Sequence, residues 1–84
     1  MILVLAAVLA AAQPGPCPEV VTAEAFICRA IRATADSRPK DAAEAFEQAA
    51  LQLDSSNPEV SRLWAAAGNM WISAGQPGKA ALAL

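Results

Sequence analysis

Two stretches decide the fold: Phe26–Phe46, FICRAIRATADSRPKDAAEAF, and Trp64–Leu84, WAAAGNMWISAGQPGKAALAL. They align without a gap when Phe26 is laid over Trp64. At that one offset Ala30 falls over Gly68, Ser37 over Gly75 and Pro39 over Pro77. Ala42, Ala43 and Ala45 then meet Ala80, Ala81 and Ala83, and Phe46 meets Leu84. A self-match with a period in this range is the signature of a helical solenoid, whose units bury their apolar faces against one another.

Working outward, each unit divides into two helices. From Thr22 to about Ala35 the apolar positions Ala23, Phe26, Ile27, Ala30 and Ile31 recur at helical spacing, with Arg29, Arg32 and Asp36 off the stripe. Thr22 is a favoured N-cap, and Glu24 suits the positive end of the helix dipole. Asp36–Pro39 is a turn whose proline opens the next helix. That second helix runs from about Pro39 to Leu53 on a stripe of Ala42, Ala45, Phe46, Ala49, Ala50 and Leu53, with Asp41, Glu44 and Glu47 towards solvent. Asp54–Pro58 breaks the chain, offering Asn57 as an N-cap. A third helix, about Pro58 to Ala74, carries Leu63, Trp64, Ala67, Gly68, Trp71 and Ile72. Gly75–Gly78 is the next stop, and Lys79–Leu84 begins a fourth helix. The expected class is all-α, built of helix–turn–helix pairs. Large side chains on one helix interlock with small ones on the next, so Gly68 and Ala80 supply the close surfaces and Trp64 and Trp71 the bulk.

Composition narrows the function. The chain has 84 residues, six basic and eight acidic, a net charge of −2 and no histidine. The basic residues are scattered, without the patch that nucleic acid demands, so no nucleic-acid partner is expected. Without His, general acid–base and triad chemistry lose their usual agent, and no Gly-rich phosphate loop is present. The chain is therefore not expected to be an enzyme, nor to hold a cofactor or metal.

Residues 1–12, MILVLAAVLAAA, form an unbroken apolar run followed by Gln-Pro-Gly-Pro. As a helix the run rises about 18 Å, short of the roughly 30 Å hydrocarbon core, so no stable membrane span is expected. It fits the apolar stretch of a secretory signal, cleaved after Ala10-Ala11-Ala12, although the usual basic leader is missing. Residues 13–21 then read as a proline-rich linker, and export points to a periplasmic or secreted protein. An ordinary hydrophobic helix packed on the repeats is the competing reading of the same run.

Cys17 and Cys28 are the only cysteines. Gly15-Pro16 before Cys17 departs from a lipid-anchor signal. No C-x-x-C and no His exist to build a zinc or thioredoxin-like site. In an oxidising compartment the pair suggests a disulfide, provided that Thr22 caps the first helix and residues 17–21 double back along it. Two free thiols, with Cys28 filling a helix interface, are the alternative.

The run Ser61–Leu84 resembles a tetratricopeptide repeat of an exported protein. Trp64, Ala67-Gly68, Trp71, Gly75, Ala80 and Leu84 stand where that family has its aromatic, small, turn and second-helix residues. Ala42, Phe46 and Ala49 match the second helix of an earlier unit, and Phe26, Ala30 and Ala33 its first. The family period is about 34 residues, and the extra ones here fall around Asp54–Pro58. The resemblance implies a TPR-like α-α superhelix of about one and a half repeats, 22–54 and a truncated 58–84, forming the N-terminal piece of a longer scaffold. It implies a protein or peptide partner bound along the first helix of each unit. Glu24, Ile27, Ile31 and Thr34 would face that partner in the first unit, and Arg62, Ala65, Asn69 and Ser73 in the second. Asn69 falls where some members grip a peptide terminus, but their companion lysine is replaced by Ala65. A truncated array is also expected to self-associate. The alternative from a different class is a small self-contained helical protein, stabilised by its disulfide, with a structural or thiol-related role.

Overall fold

A computed structural model describes residues 16–84. The apolar run 1–12 and residues 13–15 of the linker lie outside the described residues, and with them the signal-peptide reading. Residues 16–22 form no helix, and four helices follow: α1 (Ala23–Ala35), α2 (Pro39–Leu51), α3 (Glu59–Ser73) and α4 (Pro77–Ala83). No strand occurs among the described residues, and no helix there is long and apolar enough to cross a membrane.

Local chemistry accounts for the helix starts. Thr22 is extended, and its side chain accepts from the Ala25 amide at 3.2 Å, so α1 has the expected cap. Pro39 and Pro77 sit in the first turns of α2 and α4, where a missing N–H costs nothing. Before α3 the Asn57 carboxamide oxygen accepts from Glu59 N–H at 2.9 Å, so Asn57 satisfies a first-turn donor although the regular helix opens at Glu59. Asp54 turns the preceding loop by accepting from Ser56 N–H.

The helix ends carry the repeat into the backbone. Ser37 has φ 58° and Gly75 φ 76°. At the first turn Ser37 N–H donates to Thr34 O at 3.1 Å and Arg38 N–H to Ala33 O at 2.8 Å. At the second, Gly75 N–H donates to Ile72 O at 3.0 Å and Gln76 N–H to Trp71 O at 2.8 Å. Every donor and acceptor is displaced by the same offset that carries Phe26 onto Trp64. Both turns are Schellman closures with a left-handed residue just past the helix. The first unit achieves with serine what the second achieves with glycine.

Helices adjacent in sequence pack on one another, and the buried clusters set their direction. Phe26 and Ile27, early in α1, meet Ala49 and Ala50, late in α2, and Leu63, early in α3. Ala43, early in α2, meets Trp71, late in α3, which also meets Ala80 of α4. Each pair is therefore antiparallel. Among the buried apolar residues described, all but Leu63 and Trp71 are alanines. The interior depends on close helix approach, with Trp71 the one large, fully buried side chain among the described residues. Phe46 and Trp64, both half-buried, join the two clusters.

Two expectations about faces need correction. Helical spacing puts Ile31 on the core stripe of α1 and Ile72 on that of α3, but they are 59% and 55% exposed. Ala30 and Ala67 are buried as expected, and in α1 Ala25 and Ala33 take the remaining buried positions, because close-packed axes leave little room for branched side chains. Glu47, expected in solvent, is half-buried against Trp71. The reason is that α2 lies between α1 and α3, so two of its sides are covered and Ala43 is fully buried as well.

Candidate partner-facing surface and disulfide strap

Cys17 and Cys28 form a disulfide, with Cα atoms 5.8 Å apart. The geometric condition set by the sequence is met: Thr22 caps α1, and residues 17–21 return along its first turns. Arg29 completes the strap. Its Nη2 donates to Pro18 O at 2.7 Å and Val20 O at 2.9 Å, while its guanidinium lies 4.8 Å from the Phe26 ring centroid. The extended segment is thus held by a covalent bond, a forked cation and the helix cap together. Nothing in sequence spacing singles out Arg29, since its carbonyl partners exist only once the segment has turned back.

The residues expected to face a partner separate into groups. Glu24, Ile27 and Ile31 lie on one outer stripe of α1 with Cys28, Arg32 and Ala35. Thr34 and Ser73 come together across the units in a depression of about 340 Å³, shared with Ser37, Pro39 and Met70. There the Thr34 hydroxyl donates to Ala30 O at 2.8 Å and stands 3.7 Å from Met70 Sδ. Arg62 is exposed and paired with Glu59 at 2.7 Å, one turn away on the same helix. Asn69 is exposed, its backbone carbonyl accepting from the Ser73 hydroxyl at 3.2 Å. Ala65 is half-buried beside Trp64 and Leu84. The surface so formed is mixed in character: exposed Ile31, small hydroxyls, and scattered charges.

The repeat-core residues are placed as interior groups. Ala42, Gly68, Trp71 and Ala80 are buried, while Phe26, Phe46 and Trp64 are half-buried at cluster edges. A Cβ at Gly68 would stand 2.8 Å from Cγ of the largely exposed Leu84.

One constellation is not visible in the sequence pattern. Trp71 Nε1–H donates to Glu47 Oε2 at 2.9 Å, and Lys79 Nζ lies 4.5 Å from the Trp71 ring centroid. A buried indole needs an acceptor for its one N–H. That requirement could prompt a search for a carboxylate, but the partner is 24 residues away and on another helix. Among the described residues no buried side-chain N or O lacks a hydrogen-bond partner, and no group of three or more Cys, Asp or Glu is arranged to hold a metal ion.

No protein-family model, curated protein or solved structure matches this chain.

Proposed function

We propose that this chain is an exported, TPR-like helical-repeat scaffold that binds a protein or peptide along the first helices of its two units, α1 and α3. The observation that carries the reading is the repeated Schellman turn, whose backbone donors and acceptors recur in register from one unit to the next. Stacked helix pairs with small residues at their contacts present a continuous face of first helices. On that face Ile31 of α1 stands exposed, and its register counterpart on α3 is the exposed Asn69, with Ser73 one turn further on. Exposed apolar side chains among hydroxyl and amide groups suit an extended peptide better than a charged ligand. The Cys17–Cys28 disulfide supports an oxidising destination.

The alternative, a small disulfide-stabilised protein with a purely structural role, accounts for the strap but gives no reason for Ile31 at the surface. Selection of displayed random peptides on the full chain tests the binding reading. Enriched peptides are expected to lose binding to Ile31→Glu and Asn69→Arg, and to keep it with Leu51→Glu, an exposed site on α2. Absence of enrichment, or loss only in Leu51→Glu, overturns the assignment. For export, the mature protein is expected to begin at Gln13 by mass.

A further inference from the structure

The strap that precedes α1 is fixed at both ends by groups other than its disulfide. At its far end Thr22 caps α1, and the Thr22 backbone carbonyl accepts from Phe26 N–H at 3.1 Å. At its near end Arg29 Nη2 donates to Pro18 O at 2.7 Å and to Val20 O at 2.9 Å. The same guanidinium lies 4.8 Å from the Phe26 ring centroid, and that contact helps to fix the direction in which its nitrogens point.

These contacts act on Cys17 through its neighbours. Pro18 follows it directly, so holding the Pro18 carbonyl restricts where the Cys17 backbone can lie. Prolines flank Cys17 on both sides: the Pro18 ring disfavours the α region for Cys17, and Pro16 and Pro18 each have a fixed φ. Arg29 is in turn the neighbour of Cys28 on α1, so one helical turn carries both the cation and the second cysteine. The two Cα atoms stand 5.8 Å apart in this frame. Opening the bond removes one attachment and leaves the forked cation, the ring contact and the cap, none of which involves sulfur.

We infer that Arg29 is a positioning residue for thiol oxidation: it keeps the strap docked while the Cys17–Cys28 bond is open, so that the bond recloses within the chain in preference to holding a foreign thiol. With glutathione disulfide as oxidant, one chain thiolate attacks a glutathione sulfur, forms a mixed disulfide and expels one glutathione thiolate. The second chain thiolate attacks the chain-side sulfur of that mixed disulfide and expels the other. One glutathione disulfide is reduced to two glutathiones, the two chain thiols are oxidised, and their two protons pass to the departing thiolates. The second step is intramolecular, and it gains from every contact that keeps the two sulfurs within reach. Such a bridge is a self-restoring structural bond and not an exchange site. Its behaviour is independent of what α1 and α3 bind, so either reading can fail alone.

The test equilibrates the full chain in glutathione buffers of graded ratio, quenches with acid, and reads dithiol, mixed-disulfide and bridged forms by alkylation and mass. The populations give the effective concentration of one thiol at the other. A short flexible loop alone gives a value on the order of millimolar, and the parent is expected to exceed it at least about tenfold. Arg29→Lys keeps the charge but loses the planar group that stacks on Phe26 while donating to two carbonyls, and Arg29→Met loses every donor. Both are expected to lower the effective concentration about tenfold. In denaturing urea parent and variants are expected to agree, because the fork exists only in the fold. Far-UV circular dichroism of each reduced chain separates a loosened strap from lost helices. In the reduced parent the Val20 and Val21 methyl resonances are expected to stay near their oxidised positions, a readout that needs no variant. Their collapse to random-coil shifts overturns the inference, as does melting of the parent's helices on reduction. Equal values for parent and variants in native buffer also overturn it, as does a difference that persists in urea. So does a mixed disulfide with glutathione as the main species at intermediate ratios, since the chain would then hold a foreign thiol and not close on itself.

Discussion

Exchanging the residues at the two helix-ending turns gives opposite, calculable effects. Ser37 holds φ 58° and Gly75 φ 76°. A left-handed conformation costs an L-residue about 1–2 kcal/mol, while glycine loses about 0.5–1 kcal/mol more chain entropy on folding. Ser37→Gly is therefore expected to stabilise by about 0.5–1 kcal/mol. Gly75→Ser is expected to destabilise by about the same amount. A Cβ at Gly75 would meet nothing within 4 Å, so the cost there is conformational and not steric. In a domain of this size each kcal/mol moves Tm by about 4–8 °C. Thermal unfolding followed by far-UV circular dichroism should then show Ser37→Gly higher than the parent by about 2–8 °C and Gly75→Ser lower by a similar interval. The double exchange should fall back near the parent, because the two turns share no residue and their effects should add. A lower Tm for Ser37→Gly, or a neutral Gly75→Ser, would refute the equivalence of the two turns.

Other substitutions probe the packing. Replacing both Cys17 and Cys28 by serine removes a closure spanning 11 residues, expected to cost about 3 kcal/mol in urea unfolding; full thiol labelling of the unreduced parent would contradict the bridge itself. Trp71→Ala is expected to cost about 3–5 kcal/mol, comparable to the whole stability of so small a fold, and so to abolish cooperative melting. Glu47→Ala strands the indole N–H and is expected to cost about 1–3 kcal/mol. Glu47→Gln keeps an acceptor and should cost clearly less, so equal losses would show that the hydrogen bond does not matter. Gly68→Ala sets helix propensity against a 2.8 Å approach to Leu84. Because Leu84 is largely exposed and its side chain can swing away, a gain of up to about 1 kcal/mol is expected, and a loss would show Leu84 to be fixed.

The parts of the fold legible in the sequence are those set by neighbours along the chain. Thr22 and Asn57 supply their first-turn acceptors, Pro39 and Pro77 open their helices, and Ser37 and Gly75 close the preceding ones. The disulfide depends on one such local condition, the start of α1. Illegible are the features decided by which helix lies between which. Helical spacing alone cannot show that α2 is covered on two sides, which buries Ala43 and brings Glu47 to Trp71. Nor can it show that alanines, not Ile31 or Ile72, occupy the closest approaches. The expected partner-facing residues share a helical face, yet only Thr34 and Ser73 meet across the units, because the others are spread along the lengths of α1 and α3.

The central claim is that one backbone motif occurs twice, in register, in a two-unit helical array. The most direct measurement is cross-hydrogen-bond scalar coupling in a uniformly labelled sample. Couplings are expected from Arg38 N–H to the Ala33 carbonyl and from Gln76 N–H to the Trp71 carbonyl, the two six-to-one closures at 2.8 Å. Detection of both supports the repeat. A coupling at the second turn alone, with Arg38 bonded to another carbonyl, would contradict it.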